Sequence, residues 1–147
     1  MFEIISIGDY HDRAVWQRLW EAYDPHERPE AGDYCWQRLH DAASGVKGVF
    51  IMQASTPIGF AHYILSESTL GPKPDCYIKD IYIALDYRKI GAASAILEWF
   101  KAQAQTQKWA KVTLLTRAEN VAAQRLYDKL CERSGYVHYT VAKSGQW

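Results

Sequence analysis

The segment that decides the fold runs from residue 75 to residue 99 and reads DCYIKDIYIALDYRKIGAASAILEW. Residues 76–85 are apolar and rich in β-branched and aromatic side chains, which predicts a buried strand. Residues 88–93 follow as a turn that ends in three small residues and opens an amphipathic helical run at 94–105. A strand that ends in such a turn forms a cradle for phosphate, because the first-turn N–H groups of the helix have no partner within it.

The side chains of this turn suit that use. Gly91, Ala92 and Ala93 let the backbone approach a ligand closely, and Arg88 adds a fixed positive charge with a forked set of donors. The turn is not a P-loop, because no Gly-Lys-Ser/Thr follows, and it lacks the three glycines of the dinucleotide fingerprint. Taken alone, the turn leaves phosphate binding and an ordinary helix start equally open.

The sequence after this helix narrows the choice of cofactor. Residues 111–116 predict a second buried strand, residues 118–130 a further helix, and Ser134-Gly-Tyr136 leads into a predicted closing strand. With these elements the sequence resembles the GNAT superfamily of acyl-CoA-dependent N-acetyltransferases. That family's pyrophosphate signature is a hydrophobic residue, four variable positions, Arg or Gln, two positions, Gly, one position, and Gly or Ala. The residues that fit the family are Ile83, Arg88, Gly91 and Ala93, followed by Asn120 and the pair Leu126-Tyr127.

The resemblance implies a fold, a reaction and a cofactor. The fold would be one α/β GNAT domain over residues 1–147, a mixed, mostly antiparallel sheet flanked by helices on both faces. The reaction would move an acetyl group from acetyl-CoA to the primary amine of a small molecule of polyamine or amino-acid type. We expect direct attack, since no Cys or Ser carries an activating partner in the sequence. A protein or peptide acetyltransferase and a non-catalytic acyl-CoA sensor stay open as alternatives.

The resemblance also implies which residues contact the cofactor. The pyrophosphate would lie on the loop made by Arg88, Lys89, Ile90, Gly91, Ala92 and Ala93. A splay beside the motif strand would expose backbone groups to pantetheine, and the residues concerned are Ile81, Tyr82 and Ile83. Many relatives have Gly where this chain has Lys89, so we expect that side chain to point outward.

Two residues of the later helix have both a functional and a structural interpretation. The family role of Tyr127 is general acid toward the CoA sulfur, but Tyr127 also shares a helical face with Leu126 and Leu130 and suits a half-buried position. Asn120 would contact the cofactor or cap the helix. As a capping box, Thr116 with Glu119 three positions later is the better candidate.

The general base is predicted at Asp80, in the middle of the motif strand. Attack requires a neutral amine, and an acidic residue near this position activates the amine in several GNAT enzymes. Some relatives place a Glu just before it, where this chain has Lys79, which cannot act as a base while charged. A structural hydrogen-bonding role for Asp80 is equally open, because a buried carboxylate needs partners.

Composition excludes several classes of protein. The chain has 147 residues and 17 basic against 17 acidic side chains, so no basic surplus points to nucleic-acid binding. No run of residues is long and apolar enough for a membrane span or a signal peptide. Three cysteines without metal spacing and five scattered histidines predict no metal site and a cytoplasmic protein with reduced thiols. The family resemblance is compatible with a homodimer.

The first third predicts the remaining elements and the acceptor side. We expect a strand at 2–7, a helix capped by Asp9, a helix from Asp33 to about Ala43, and strands at 47–54 and 58–66 joined by the turn Ser55-Thr-Pro57. The acids between the two helices are flanked by aromatic residues. They would either favour binding of a cationic amine or lie on a solvated loop. They are Asp24, Glu27, Glu30 and Asp33, with Arg28 as the one base.

Overall fold

A computed structural model describes residues 1–25 and 29–145 and divides into two compact units, Met1–Leu115 and Thr116–Trp147. The strands of the first unit are β1 Phe2–Ser6, β2 Val46–Gln53, β3 Thr56–Ser66, β4 Asp75–Ile83 and β5 Lys111–Leu114. Its helices are α1 Arg13–Tyr23, α2 Pro29–Leu39 and α3 Ala92–Gln107, with short 3-10 helices at Ile7–Asp9 and Leu85–Tyr87. None of the helices in the described ranges is long and apolar enough to span a membrane.

The strands form one mixed sheet in the order β1-β2-β3-β4-β5. The first four strands pair antiparallel, whereas β5 runs parallel to β4 because α3 connects them as a crossover. The β2–β3 hairpin turns through Ala54 and Ser55, whose φ angles of 47° and 66° are both positive, as a type I′ turn requires. The turn therefore starts one residue before the predicted Ser55-Thr-Pro57, and Thr56 already belongs to β3.

An extra residue in β4 changes the pairing in the middle of the sheet. Asp80 lies opposite His62, but Ile78 lies opposite Tyr63, so Lys79 is a bulge residue without its own partner on β3. On the other side, β4 pairs with β5 only from Asp75 to Ile78. The backbone of residues 79–83 therefore has no ladder partner on the β5 side within the described strands.

The two faces of the sheet are covered by different helices. Trp16 of α1 and Leu39 of α2 are buried with Phe50 and Phe60 in one cluster on the first face. On the opposite face, Phe100 of α3 packs edge-on against Tyr63, with ring centroids 5.2 Å apart. Each strand alternates its side chains between the two layers, so the predicted mixed sheet with helices on both faces is confirmed.

The two N-terminal helices begin elsewhere than predicted. Asp12, and not Asp9, caps α1, its Oδ1 accepting a hydrogen bond from the backbone N of Ala14 at 3.1 Å. Asp9 lies in the preceding 3-10 helix. α2 starts at Pro29, a residue suited to the first helical position because its missing N–H would be unpaired there, and ends at Leu39, four residues before Ala43.

The second unit contains α4, Val121–Leu130. Residues 131–145 form no helix and no strand, so the closing strand predicted after Tyr136 is wrong for the described part of the chain. Tyr136, Tyr139 and Val141 are instead exposed. Their β-branched and aromatic character fits a strand, but a strand also needs a pairing partner, which side-chain pattern alone does not provide.

Candidate active site

The carboxylate of Asp80 receives a hydrogen bond on each oxygen. The hydroxyl of Tyr23, at the end of α1, donates to Oδ1 at 2.9 Å. The Nδ1 atom of His62, opposite on β3, lies 3.1 Å from Oδ2. The Asp80 side chain is 14% exposed, so the site holds a nearly buried carboxylate whose two polar partners come from different elements.

Aromatic rings surround His62 and Tyr23, the two partners of this carboxylate. Phe60 stacks on His62 with centroids 4.5 Å apart, and the Trp20 ring lies 5.3 Å from the same imidazole. The Tyr23 ring meets Phe60 and Tyr82 edge-on at 5.6 Å and 6.0 Å. Asp80 is thus a negative charge at the border of an aromatic surface.

The turn between β4 and α3 has the backbone geometry of a ligand cradle. Gly91 is the N-cap of α3 with a φ of +91°, and it provides no side chain to the first-turn N–H groups. A Cβ at Gly91 would meet nothing within 4 Å, so open space lies there. Lys89 has a φ of +63°, a left-handed conformation that Gly adopts with less strain than a residue with a side chain. The Lys89 side chain is exposed.

Arg88 is anchored to the strand that it follows. Its Nε donates to the backbone oxygen of Ile83 at 2.9 Å, and its guanidinium carbon lies 5.6 Å from the centroid of the Tyr82 ring. This bond uses one of the five N–H donors of a guanidinium. The other donors remain on an exposed side chain beside the Gly91 turn.

In the second unit, Asn120 is the cap of α4. Its Oδ1 accepts a hydrogen bond from the backbone N of Ala123 at 3.2 Å. The predicted capping box of Thr116 with Glu119 is therefore wrong, because the helix begins only at Val121.

Tyr127 is half-buried on α4. Burial raises the pKa of the Tyr127 phenol, and the neighbouring Cys131 acts in the same direction, so the phenol is protonated at neutral pH.

Two of the acids expected on the acceptor side, Glu30 and Asp33, lie on α2. Asp33 forms an ion pair with Arg13, and Glu30 lies in the first turn of α2. Glu27 and Arg28 lie outside the described residues. In the part of the chain that is described, no three His, Cys, Asp or Glu side chains group as a metal site, and all three cysteines are free thiols.

Sequence reasoning missed His62. Nothing in the local sequence marks this histidine, since its two hydrogen-bonding partners, Trp16 and Asp80, are 46 and 18 residues away. The available signal was the β3–β4 register, which places His62 opposite Asp80. The bulge at Lys79 shifts that register by one residue, and no sequence pattern predicts this bulge.

Comparisons with known proteins agree on one family. Residues 13–132 match the Acetyltransferase (GNAT) family. The D-amino-acid N-acetyltransferase HPA3 of Saccharomyces cerevisiae is 25% identical over 142 residues, which is 92% of this chain and 88% of that protein.

Solved structures share the fold at low sequence identity. AAC(6')-Iy in complex with a bisubstrate analogue has a TM-score of 0.81 at 16% identity, covering 97% of this chain and 99% of that one. The ribosomal-protein-alanine N-acetyltransferase of Brucella melitensis biovar Abortus 2308 has a TM-score of 0.78 at 16% identity, covering 97% and 100%. The chain therefore belongs to the GNAT acetyltransferase family and is an acetyl-CoA-dependent N-acetyltransferase.

Proposed function

We propose that the acceptor is the primary amine of a small cationic molecule, of polyamine or amino-acid type, which attacks the thioester of acetyl-CoA directly. The observation that carries this proposal is the Asp80 carboxylate, held by Tyr23 at the border of the aromatic surface. A carboxylate beside aromatic faces attracts an ammonium group by charge and by cation–π contact, the latter contributing ~0.5–2 kcal/mol per well-placed ring.

Asp80 is the proposed general base. An alkylamine with a pKa of about 10 arrives protonated and has to lose a proton before it attacks. Each Asp80 oxygen accepts one hydrogen bond in the structure, and a carboxylate has about four lone-pair sites, so two sites remain for the amine or a bridging water. The structural role that Asp80 has between His62 and Tyr23 is therefore compatible with proton removal.

The residues of the first unit fit acetyl-CoA, which supplies an activated acetyl group. The uncapped start of α3 and the open space at Gly91 suit the pyrophosphate. We assign it to Arg88, Lys89, Ile90, Gly91, Ala92 and Ala93. The β4 backbone that lacks a β5 partner suits pantetheine as an added strand, through Ile81, Tyr82 and Ile83. Backbone N–H groups on this edge would polarise the thioester carbonyl.

Two residues of the second unit complete the proposal. Tyr127 would donate a proton to the departing thiolate, since a phenol is protonated at neutral pH and burial raises the pKa of this one further. Asn120 would contact the cofactor through its amide nitrogen while its Oδ1 caps α4. The family match at residues 13–132 includes both residues.

The relatives support a small-molecule acceptor. The similar yeast protein acts on D-amino acids, and the structural neighbour AAC(6')-Iy was solved with a CoA-linked acetylneamine analogue. Another neighbour acts on a ribosomal protein, and this makes a protein substrate the main competitor. Free small amines and lysine peptides offered in parallel distinguish the two, because an enzyme for small molecules needs no peptide around the amine.

A thiol-release assay tests the proposal. Purified protein and acetyl-CoA are offered polyamines, D- and L-amino acids, aminoglycosides and lysine peptides. We expect turnover on a free small amine. Turnover on peptides alone would assign a protein substrate, and CoA binding without turnover on any amine would assign a sensor.

A matched pair of variants on β4 tests the base. Asp80→Asn should lower kcat by about 10²–10⁴-fold, the usual contribution of a general base, and leave CoA binding unchanged. Asp75→Asn is the control, since Asp75 lies on the same strand and forms only a partly exposed ion pair with Lys111 at 3.9 Å. If the two variants are equally active, Asp80 is not the general base.

The proposal also includes a homodimer formed by the full chain. Residues 131–145 expose Tyr136, Tyr139 and Val141, and exposed apolar side chains within one segment mark interaction surfaces. Light scattering of the purified protein should give twice the mass of one chain. The mass of a single chain at micromolar concentration would contradict this part.

A further inference from the structure

We propose that His62 is the positioning residue for Asp80 and that Trp16 fixes His62 in the one tautomer that can do this. The inference rests on the proposed function, because it explains how the proposed base is prepared. The indole Nε1 of Trp16 lies 3.0 Å from Nε2 of His62, and Nδ1 of His62 lies 3.1 Å from Oδ2 of Asp80. Trp16 is fully buried and His62 is 2% exposed, so water does not compete for these bonds.

The partners decide where the imidazole proton lies. An indole N–H only donates, so Nε2 of His62 has to accept and carries no proton. A neutral imidazole has one N–H, which is then at Nδ1 and donates to the Asp80 carboxylate. Trp16 therefore orients the donor of His62 toward Asp80 without touching Asp80 itself.

Packing holds the imidazole in this orientation. Phe60 stacks on one side of His62 at an interplanar angle of 27°, and Trp20 lies 5.3 Å away at 53°. A Cβ at Gly48, the residue opposite His62 on β2, would lie 3.1 Å from the imidazole Cδ2, so the ring has no spare room at that edge either. A ring flip would therefore need the aromatic cluster to move.

The effect on Asp80 is to fix the plane of its carboxylate. His62 holds Oδ2, Tyr23 holds Oδ1, and the bulge at Lys79 places the carboxylate at this point of β4. A neutral imidazole, unlike an Arg or Lys, leaves the negative charge of Asp80 uncompensated. The carboxylate then presents a fixed, charged acceptor to an incoming ammonium group.

Two substitutions at His62 separate positioning from packing. In His62→Asn the amide nitrogen replaces Nδ1 and keeps the bond to Asp80, whereas in His62→Gln the amide group replaces Nε2 and keeps the bond to Trp16. Each variant retains one of the two bonds and leaves one buried partner unsatisfied, so both lose stability for the same kind of reason.

We expect His62→Gln to lower kcat by about 10–100-fold, by analogy with the loss of a hydrogen-bonding partner that orients a metal-ligating side chain. His62→Asn should stay within a few-fold of the wild type, and both should keep the CoA dissociation constant. The proposal would be overturned if His62→Asn and His62→Gln had equal kcat values when compared at the same fraction of folded protein. A wild-type protein that acetylates none of the amines would instead contradict the proposed function.

A second measurement needs neither a substrate nor a stable His62 variant. Long-range ¹H–¹⁵N spectra of the wild type, with the signals of His62 assigned, should show Nδ1 as its protonated nitrogen, and in Trp16→Phe His62 should change to the other tautomer or to a mixture. A wild-type His62 protonated at Nε2 would overturn the inference whatever the activity.

Discussion

The guanidinium of Arg88 lies over the ring of Tyr82, 5.6 Å from its centroid. Tyr82 is on β4, at the edge proposed for pantetheine, and Arg88 follows the same strand into the turn proposed for pyrophosphate. The bond from Arg88 Nε to the Ile83 oxygen fixes the side chain at its base. Two parts of the proposed cofactor site are thereby joined through one side chain.

Arg88→Lys should weaken CoA binding although it preserves the charge. A Lys has one compact ammonium group, cannot stack on Tyr82 as a plane, and cannot donate to Ile83 and a phosphate in the same geometry. We expect the CoA dissociation constant from calorimetry to rise by about 10-fold or more, as for the loss of a charged hydrogen bond. Arg18→Lys on the exposed side of α1 is the control and should bind CoA normally.

Gly91→Ala should be destabilising and should weaken CoA binding further than its stability loss explains. The φ of +91° costs an alanine about 1–2 kcal/mol, which a urea titration measures as a lower midpoint. Its methyl group would project into the open space proposed for the pyrophosphate. Gly71→Ala, also in open space but without a positive φ, is the control. Unchanged CoA affinity in folded Gly91→Ala would exclude close backbone approach at this turn.

The strands and the Gly91 turn could be predicted because their signals are local. The run of apolar residues around Ile78 and the small residues around Gly91 mark β4 and the start of α3 with no knowledge of other elements. Helix starts were less certain, because Asp9 and Asp12 are both acceptable caps and the choice depends on where the chain leaves β1.

What could not be predicted depends on pairing between distant strands. The His62–Asp80 contact follows from a register that the Lys79 bulge shifts by one residue. The closing strand after Tyr136 failed for the related reason that its pattern supplies side chains but no partner. A bulge and a missing partner are both properties of two strands together, and one sequence segment contains only half of that information.

Two substitutions of Asn120 should distinguish its role as the cap of α4 from a contact with the cofactor. Asn120→Ala removes the acceptor for the Ala123 N–H and should lower stability by about 0.5–2 kcal/mol in thermal or urea unfolding. Asn120→Asp keeps the cap but replaces the amide donor with an acidic oxygen. We expect Asp to restore stability and still bind CoA more weakly, whereas normal CoA affinity in Asn120→Asp would leave the cap as the residue's role.

Tyr127→Phe should lower turnover and spare CoA binding. The phenol is the proposed proton donor, and burial raises its pKa, so at neutral pH the lost group is a protonated one. We expect kcat to fall by about 10²-fold or more, within the range for a general acid. Tyr136→Phe in the same unit is the control, since Tyr136 is exposed. If both variants turn over like the wild type, the thiolate leaves without help from Tyr127.

Alkaline pH should destabilise the protein through two neighbouring groups in the first unit. Burial raises the pKa of the Cys76 thiol from 9.0 to about 12. Burial, followed by the charge of Cys76, raises the pKa of Tyr63 from 10.0 to about 12. Because the folded state holds these protons more tightly than the unfolded state, the free energy of unfolding falls as pH rises through this range.

Cys76→Ala should delay that loss of stability. In the wild type, the fall begins near pH 9, where the unfolded thiol starts to ionise, and continues to about pH 12. Without the thiol, the fall depends on tyrosines whose pKa values burial raises, Tyr63 and Tyr127, so it should begin near pH 10. Urea titrations at intervals from pH 8 to 12 measure the slope for each protein. The comparison uses slopes, because the smaller side chain also leaves a cavity that lowers stability at every pH. The same onset in both proteins would mean that Cys76 ionises as readily in the folded chain as in the unfolded one.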